Sequence, residues 1–128
     1  MQIINPASIF NSPRYASAIR AGSTIYTAGR VPIDLDGSVY APNDPAAQTE
    51  HILQCLKVIL AEGGASFKDV VLIHTYYLFQ EDMGAIFEVM QKHFEDHRPP
   101  HTGMRQDSTS WKERGIRLEI ELVAVVED

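Results

Sequence analysis

The side chains with most chemical potential are five histidines and a pair of carboxylates near the end of the chain. His51, His74, His93, His97 and His101 raise the question of a metal, and their spacing does not answer it. His93 and His97 share a helix face at i and i+4, but the glutamate of an HExxH pair is absent and His97 falls at the helix end. Solvated surface histidines are the simpler reading, and no metal is expected. His74 lies inside an apolar run and reads as a hydrogen-bonded core or interface histidine. His101 differs, because it follows the Pro99-Pro100 break at the entry of a new element. Glu119 and Glu121 fall on one strand face together with Arg117. A carboxylate on a strand near a subunit boundary can be desolvated, which raises its pKa and suits general acid/base work. An exposed strand face, or pairing of Arg117 with Glu119 or Glu121, explains the same pattern. GxSxG, P-loop and GxGxxG motifs are all missing, so elbow-serine hydrolysis, nucleotide hydrolysis and dinucleotide binding lack support.

The elements that must position these groups are short. Tyr15 to Arg20 and Thr24 to Ile33 are β-like runs around Ala21-Gly22-Ser23, which reads as a hairpin. Asn43-Asp44-Pro45 looks like a helix start, with Asp44 as N-cap and Pro45 at the first position. Ile52, Leu56, Ile59 and Leu60 recur at helical spacing, and Gly63-Gly64 stops the helix. Asp69 to Phe79 is dense in β-branched and aromatic residues and reads as a buried strand. Met83 to Phe94 is a second helix, with Ile86, Phe87, Met90 and Phe94 on one side and Arg98-Pro99-Pro100 beyond it. Thr102 to Trp111 is a polar strand or a long loop. Ile116 to Val126 alternates as a strand with one face toward a core. The order ββ-α-β-α-β(β) predicts an α+β sandwich: one mixed sheet with two helices on one face. The other sheet face still carries apolar and aromatic content, so burial by another subunit is expected.

The 128 residues read as one domain, residues 1–128, without repeats or linkers. Hydrophobic residues make up 45% and charged ones 22%, which argues against disorder. The lone Cys55 excludes an internal disulfide, and its apolar surroundings suggest a buried thiol. A net charge of −6, without an aromatic-basic platform, gives no reason to expect nucleic acid or an anionic membrane as partner. No apolar stretch approaches a membrane span and no signal pattern opens the chain, so a cytoplasmic protein is expected. Arg98, Arg105, Lys112, Arg114 and Arg117 interleave with acidic residues and read as a solvated mixed-charge face.

Several segments, taken in order, look familiar. Tyr15-Ala16-Ser17-Ala18, Thr27-Ala28-Gly29-Arg30-Val31-Pro32, Gln48, Gly63 to Val71, Arg98-Pro99-Pro100 and the terminal Leu118-Glu119-Ile120-Glu121 resemble the reactive-intermediate deaminase (Rid, YjgF-like) family. The likeness covers nearly the whole chain. No single motif is specific; the ordered set is. The resemblance implies a chorismate-mutase-like fold and a homotrimer around a central barrel, with clefts between subunits. For the best-studied branch it implies hydrolytic deamination of enamines and imines without any cofactor.

Carried over residue by residue, Glu119 matches the acid that handles the attacking water. Tyr15 would line the cleft, and Gly29 matches a glycine whose backbone neighbourhood meets ligand; Arg30 and Thr102 are further candidates for substrate binding. The departure lies at the arginine that deaminating members place two residues after a proline to hold a substrate carboxylate. His101 is read at that position, as acid/base or ligand hydrogen-bonder, and Arg105 is the nearby arginine. The stretch from His101 to Glu119 is also several residues longer than the family's. Either Arg105 reaches the cleft, or the chain belongs to a branch without the usual deaminase activity. That second branch would be a small-molecule binder, or a tautomerase or hydrolase with His101 in the arginine's place.

Overall fold

The computed structural model describes residues 1–127. Three short strands open the chain: β1 (Gln2–Ile4), β2 (Ala18–Ala21) and β3 (Thr24–Thr27). Helix α1 (Pro45–Glu62) leads to β4 (Val70–Tyr77), and α2 (Met83–Phe94) leads to β5 (His101–Arg105). A short helix, α3 (Thr109–Arg114), precedes the last strand, β6 (Leu118–Val125). The six strands form one mixed sheet in the order β1-β2-β3-β6-β4-β5. Only β4 and β5 are parallel, as a strand–helix–strand crossover through α2 requires.

Local chemistry accounts for both long helices. The Asp44 carboxylate accepts from the Ala47 amide at 3.0 Å, and Pro45 supplies a first residue without a wasted donor. At the other end Gly64 takes φ +86°, which a side chain rarely tolerates, and the Ala65 amide returns to the Leu60 carbonyl. Ile52, Leu53, Leu56, Ile59 and Leu60 are buried, each contributing roughly 1.5–3 kcal/mol. From α2, Ile86, Val89, Met90 and Phe94 join the same core over Ile73, Leu118, Ile120 and Leu122. Both helices therefore cover one face of the sheet. Phe87, expected in the buried stripe of α2, is instead 48% exposed.

The expected order of elements needs correcting at three places. Strand β1 was not anticipated; three residues carry too little periodicity. The two opening runs contribute strand only from Ala18 and only as far as Thr27, after which Arg30 bridges Ile120 alone. The segment 102–111 divides between β5 and α3, where the Ser108 hydroxyl caps the Trp111 amide and Gly115 at φ +75° ends the turn.

Two buried polar contacts set the entry of β6. The Gln48 side chain is fully buried; its Nε2 donates to the carbonyls of Tyr40, Ala41 and Gly115, and its Oε1 accepts from the Arg117 amide. Arg117 itself does not pair with Glu119 or Glu121. Its guanidinium makes two 2.8 Å bonds to the buried Asp82 and lies 4.5 Å over the Phe79 ring.

Candidate active site

Alternation along β6 sends Leu118, Ile120, Leu122 and Ala124 into the core, and Glu119, Glu121 and Val123 to the helix-free face. Register then selects their neighbours. Tyr76 on β4 stands opposite Glu119 and His74 stands opposite Glu121, while Thr102 and Met104 on β5 pair with His74 and Tyr76. These residues share the helix-free face.

Glu119 is half-buried there against Gly29. A Cβ placed on Gly29 would lie 2.6 Å from the Glu119 carboxyl carbon, so the glycine is the wall on which that carboxyl rests. Burial, and then the nearby charge of Glu121, push the Glu119 pKa above the usual carboxylate value. Tyr15, 60% exposed, joins Phe10, Ser17 and Gly29 around a cleft of about 50 Å³. Gly29 thus meets both the Tyr15 cleft and the Glu119 carboxyl.

Other expected residues lie elsewhere. His101 pairs with Ile73 on the helix-covered side; its Nε2 lies 2.9 Å from the Thr75 hydroxyl and its ring meets Phe87 edge-on at 5.0 Å. Burial lowers the His101 pKa, with a smaller push from His74. There it lines a cavity of about 270 Å³ with Phe87, Met90 and Phe94. Tandem prolines make the count ambiguous: two residues after Pro99 is His101, and two after Pro100 is Thr102. A one-residue slip changes the face, and Thr102 is the residue that pairs with His74 and shares the face of the glutamates. Arg105 is exposed and, by strand alternation, shares the side of His101 and Gly103. Arg30 is 8% exposed and exchanges two backbone bonds with the inward-facing Ile120; its charge acts on His51 and Cys55 of α1. Arg30 nevertheless lines the cleft with Tyr15 and Gly29, while its side chain reaches toward Cys55 of α1.

His74, expected to be hydrogen-bonded, lies on the helix-free face, and beside it Tyr76 was not among the expected site residues. His74 Nδ1 lies 2.7 Å from Glu121 Oε1, and the Tyr76 hydroxyl donates to the same oxygen at 2.6 Å. That bond pushes the Tyr76 hydroxyl up to about 12. Period-two alternation of β4 was the available signal, since it groups Leu72, His74 and Tyr76 on one face. The partner carboxylate depends on register, which the sequence does not display.

Among the described residues no three histidine, cysteine, aspartate or glutamate side chains are placed to share a metal ion. His93 instead bonds Glu50 at 2.9 Å, and His97 bonds the Val70 carbonyl at 2.7 Å. No described helix is long and apolar enough to cross a membrane.

Comparison with known proteins agrees with this architecture. The model of the family described as Endoribonuclease L-PSP matches residues 7–126. The 3-aminoacrylate deaminase RutC of Acinetobacter baylyi is 36% identical over 85 residues, covering 66% of this chain and 68% of that protein. A RutC family protein of Pyrococcus abyssi is 30% identical over 113 residues, 88% of this chain and 87% of the relative. The crystal structure of a Thermotoga maritima MSB8 protein superposes with a TM-score of 0.90 at 28% identity, covering 100% of this chain and 99% of the other. The earlier resemblance and these matches agree: the chain belongs to the Endoribonuclease L-PSP (YjgF/Rid) family.

Proposed function

We propose that the protein hydrolyses a small enamine or imine to a carbonyl compound and ammonia, with Glu119 handling the attacking water. The observation that carries this is the half-buried Glu119 carboxyl resting on Gly29, beside a cleft that Tyr15 lines. An imine carbon needs an oxygen nucleophile. An enamine first becomes the imine by protonation at carbon. A carboxylate that is reluctant to ionise then takes a proton from water as the C–O bond forms and passes it to nitrogen. It next relays the carbinolamine hydroxyl's proton to nitrogen as the C–N bond breaks and the carbonyl forms. The likeness to a 3-aminoacrylate deaminase supports an enamine as the first substrate to try. The helix-free face, with exposed Tyr26 and partly covered Leu72 and Val123, supports a homotrimer in which further copies cover it. Net charge −6 argues against RNA as substrate, whatever the family's description.

A second reading has one observation in its favour. Thr102, not an arginine, occupies the β5 position on the face of Glu119, so no guanidinium fork waits there for a substrate carboxylate. A ligand-binding protein without turnover would suit such a site. The experiment is ammonia release from 3-aminoacrylate and from imino acids made in situ by an amino-acid oxidase. Wild type should accelerate release, and Glu119→Gln should lose about 10²–10⁴-fold. Equal rates for wild type and Glu119→Gln would overturn the assignment of Glu119. No acceleration with any imine would favour the binding reading.

A further inference from the structure

We propose that Glu121, clamped by His74 and Tyr76, is a positioning residue that acts through Glu119, its neighbour two residues along on the same half-buried strand face. The inference rests on the role given to Glu119 above and deepens it.

The clamp is built from two donors on one oxygen. The His74 imidazole at 2.7 Å and the Tyr76 hydroxyl at 2.6 Å both address Glu121 Oε1. Two partners on one oxygen hold the Glu121 carboxyl in a single place on the face that Glu119 shares. Glu119 has no such pair of donors; it rests on the aliphatic wall of Gly29. Two residues apart on one strand, the glutamates sit roughly 7 Å apart at Cα on a half-buried face. An anion at that distance opposes ionisation of its neighbour. The groups around this pair are His74 and Tyr76 from β4, Tyr26 and Thr27 from β3, the uncharged Thr102 and Met104 from β5, and Gly29, which lines a cleft with Tyr15 and Arg30.

The reaction gives the arrangement a purpose. Glu119 must first take a proton from water and then return it to the departing nitrogen, so both its forms have to be accessible near neutral pH. Burial on Gly29 alone makes the acid weak. An adjacent anion makes it weaker still, while leaving the carboxyl itself free of permanent hydrogen bonds.

The test uses Glu121→Gln and Tyr76→Phe in the full chain. Glu119 is titrated by carbon NMR on side-chain-labelled glutamate, and the pH profile of kcat/KM for imine hydrolysis is recorded in parallel. In Glu121→Gln both the Glu119 titration and the acid limb of the profile should move down by about one pH unit. Tyr76→Phe, which removes one donor and loosens the clamp, should move the Glu119 titration in the same direction as Glu121→Gln but by less. A Glu119 titration in Glu121→Gln that superimposes on wild type would overturn the proposal. Should no imine be hydrolysed by any form, the proposed reaction fails, while the NMR titration still decides the coupling.

Discussion

Replacing Gly29 by alanine tests the site at its tightest point. The added Cβ would stand 2.6 Å from Glu119 Cδ, 2.8 Å from Oε2 and 3.0 Å from Cγ. Carbon atoms pack best at about 3.5–4.0 Å, so the carboxyl must retreat by roughly 1 Å. The obstructed atoms end a flexible, half-buried side chain, and the fold should give way cheaply. We expect a stability loss of about 1 kcal/mol or less, a drop of no more than roughly 5 °C in Tm for a chain of this size. Catalysis is less forgiving, since a displacement of about 1 Å in an acid/base group commonly costs on the order of 10²-fold. The assay is kcat/KM for ammonia release beside a thermal melt. Gly29→Ala should fall about a hundredfold, and Gly29→Ala/Glu119→Gln should be no slower than Glu119→Gln alone, because both changes strike one group. A Gly29→Ala protein with wild-type turnover and an unchanged melt would refute the argument, as would additive losses in the double variant.

Two further outcomes follow from contacts around β6. Arg117→Met strands Asp82, whose side chain is only 5% exposed, and should cost about 3–5 kcal/mol in urea unfolding; a loss under about 1 kcal/mol would contradict the buried pair. Glu119→Gln should change stability with a definite sign. The folded protein raises the Glu119 pKa, so this group favours the folded state below the ordinary carboxylate value of 4.5 and loses that contribution as pH rises through its own pKa. The variant should therefore be more stable than wild type at pH 7–8, with the gain shrinking toward pH 4, as thermal melts across that range would record.

Much of the scaffold was legible because its signals are local. Asp44-Pro45 announces α1, Gly63-Gly64 closes it, and the spacing of Ile86, Met90 and Phe94 gives α2 its observed bounds. The alternation from Leu118 to Ala124 correctly separated Glu119 from the core. What depends on pairing was not legible. Tyr76 meets Glu121 only because β4 and β6 align antiparallel in one register, and His101 lies behind the sheet because β5 pairs it with the inward-facing Ile73, which a count from Pro99 does not reveal. Arg117 found Asp82, 35 positions away, rather than the glutamates beside it.

The strand order carries a consequence for how the molecule comes into being. β1, β2 and β3 touch the rest of the sheet only through β6, and so do β4 and β5. The two halves of the sheet remain separate sheets until the last strand slots between them. Closing that gap joins residues about a hundred positions apart, such as Ile25 and Ala124, a topology that favours slow, concerted folding over stepwise assembly. Glu119 is borne by this same keystone strand. A partly folded chain therefore has no half-formed version of the acid's environment: the wall at Gly29 and the bonds from His74 and Tyr76 to Glu121 arrive together, with the final strand.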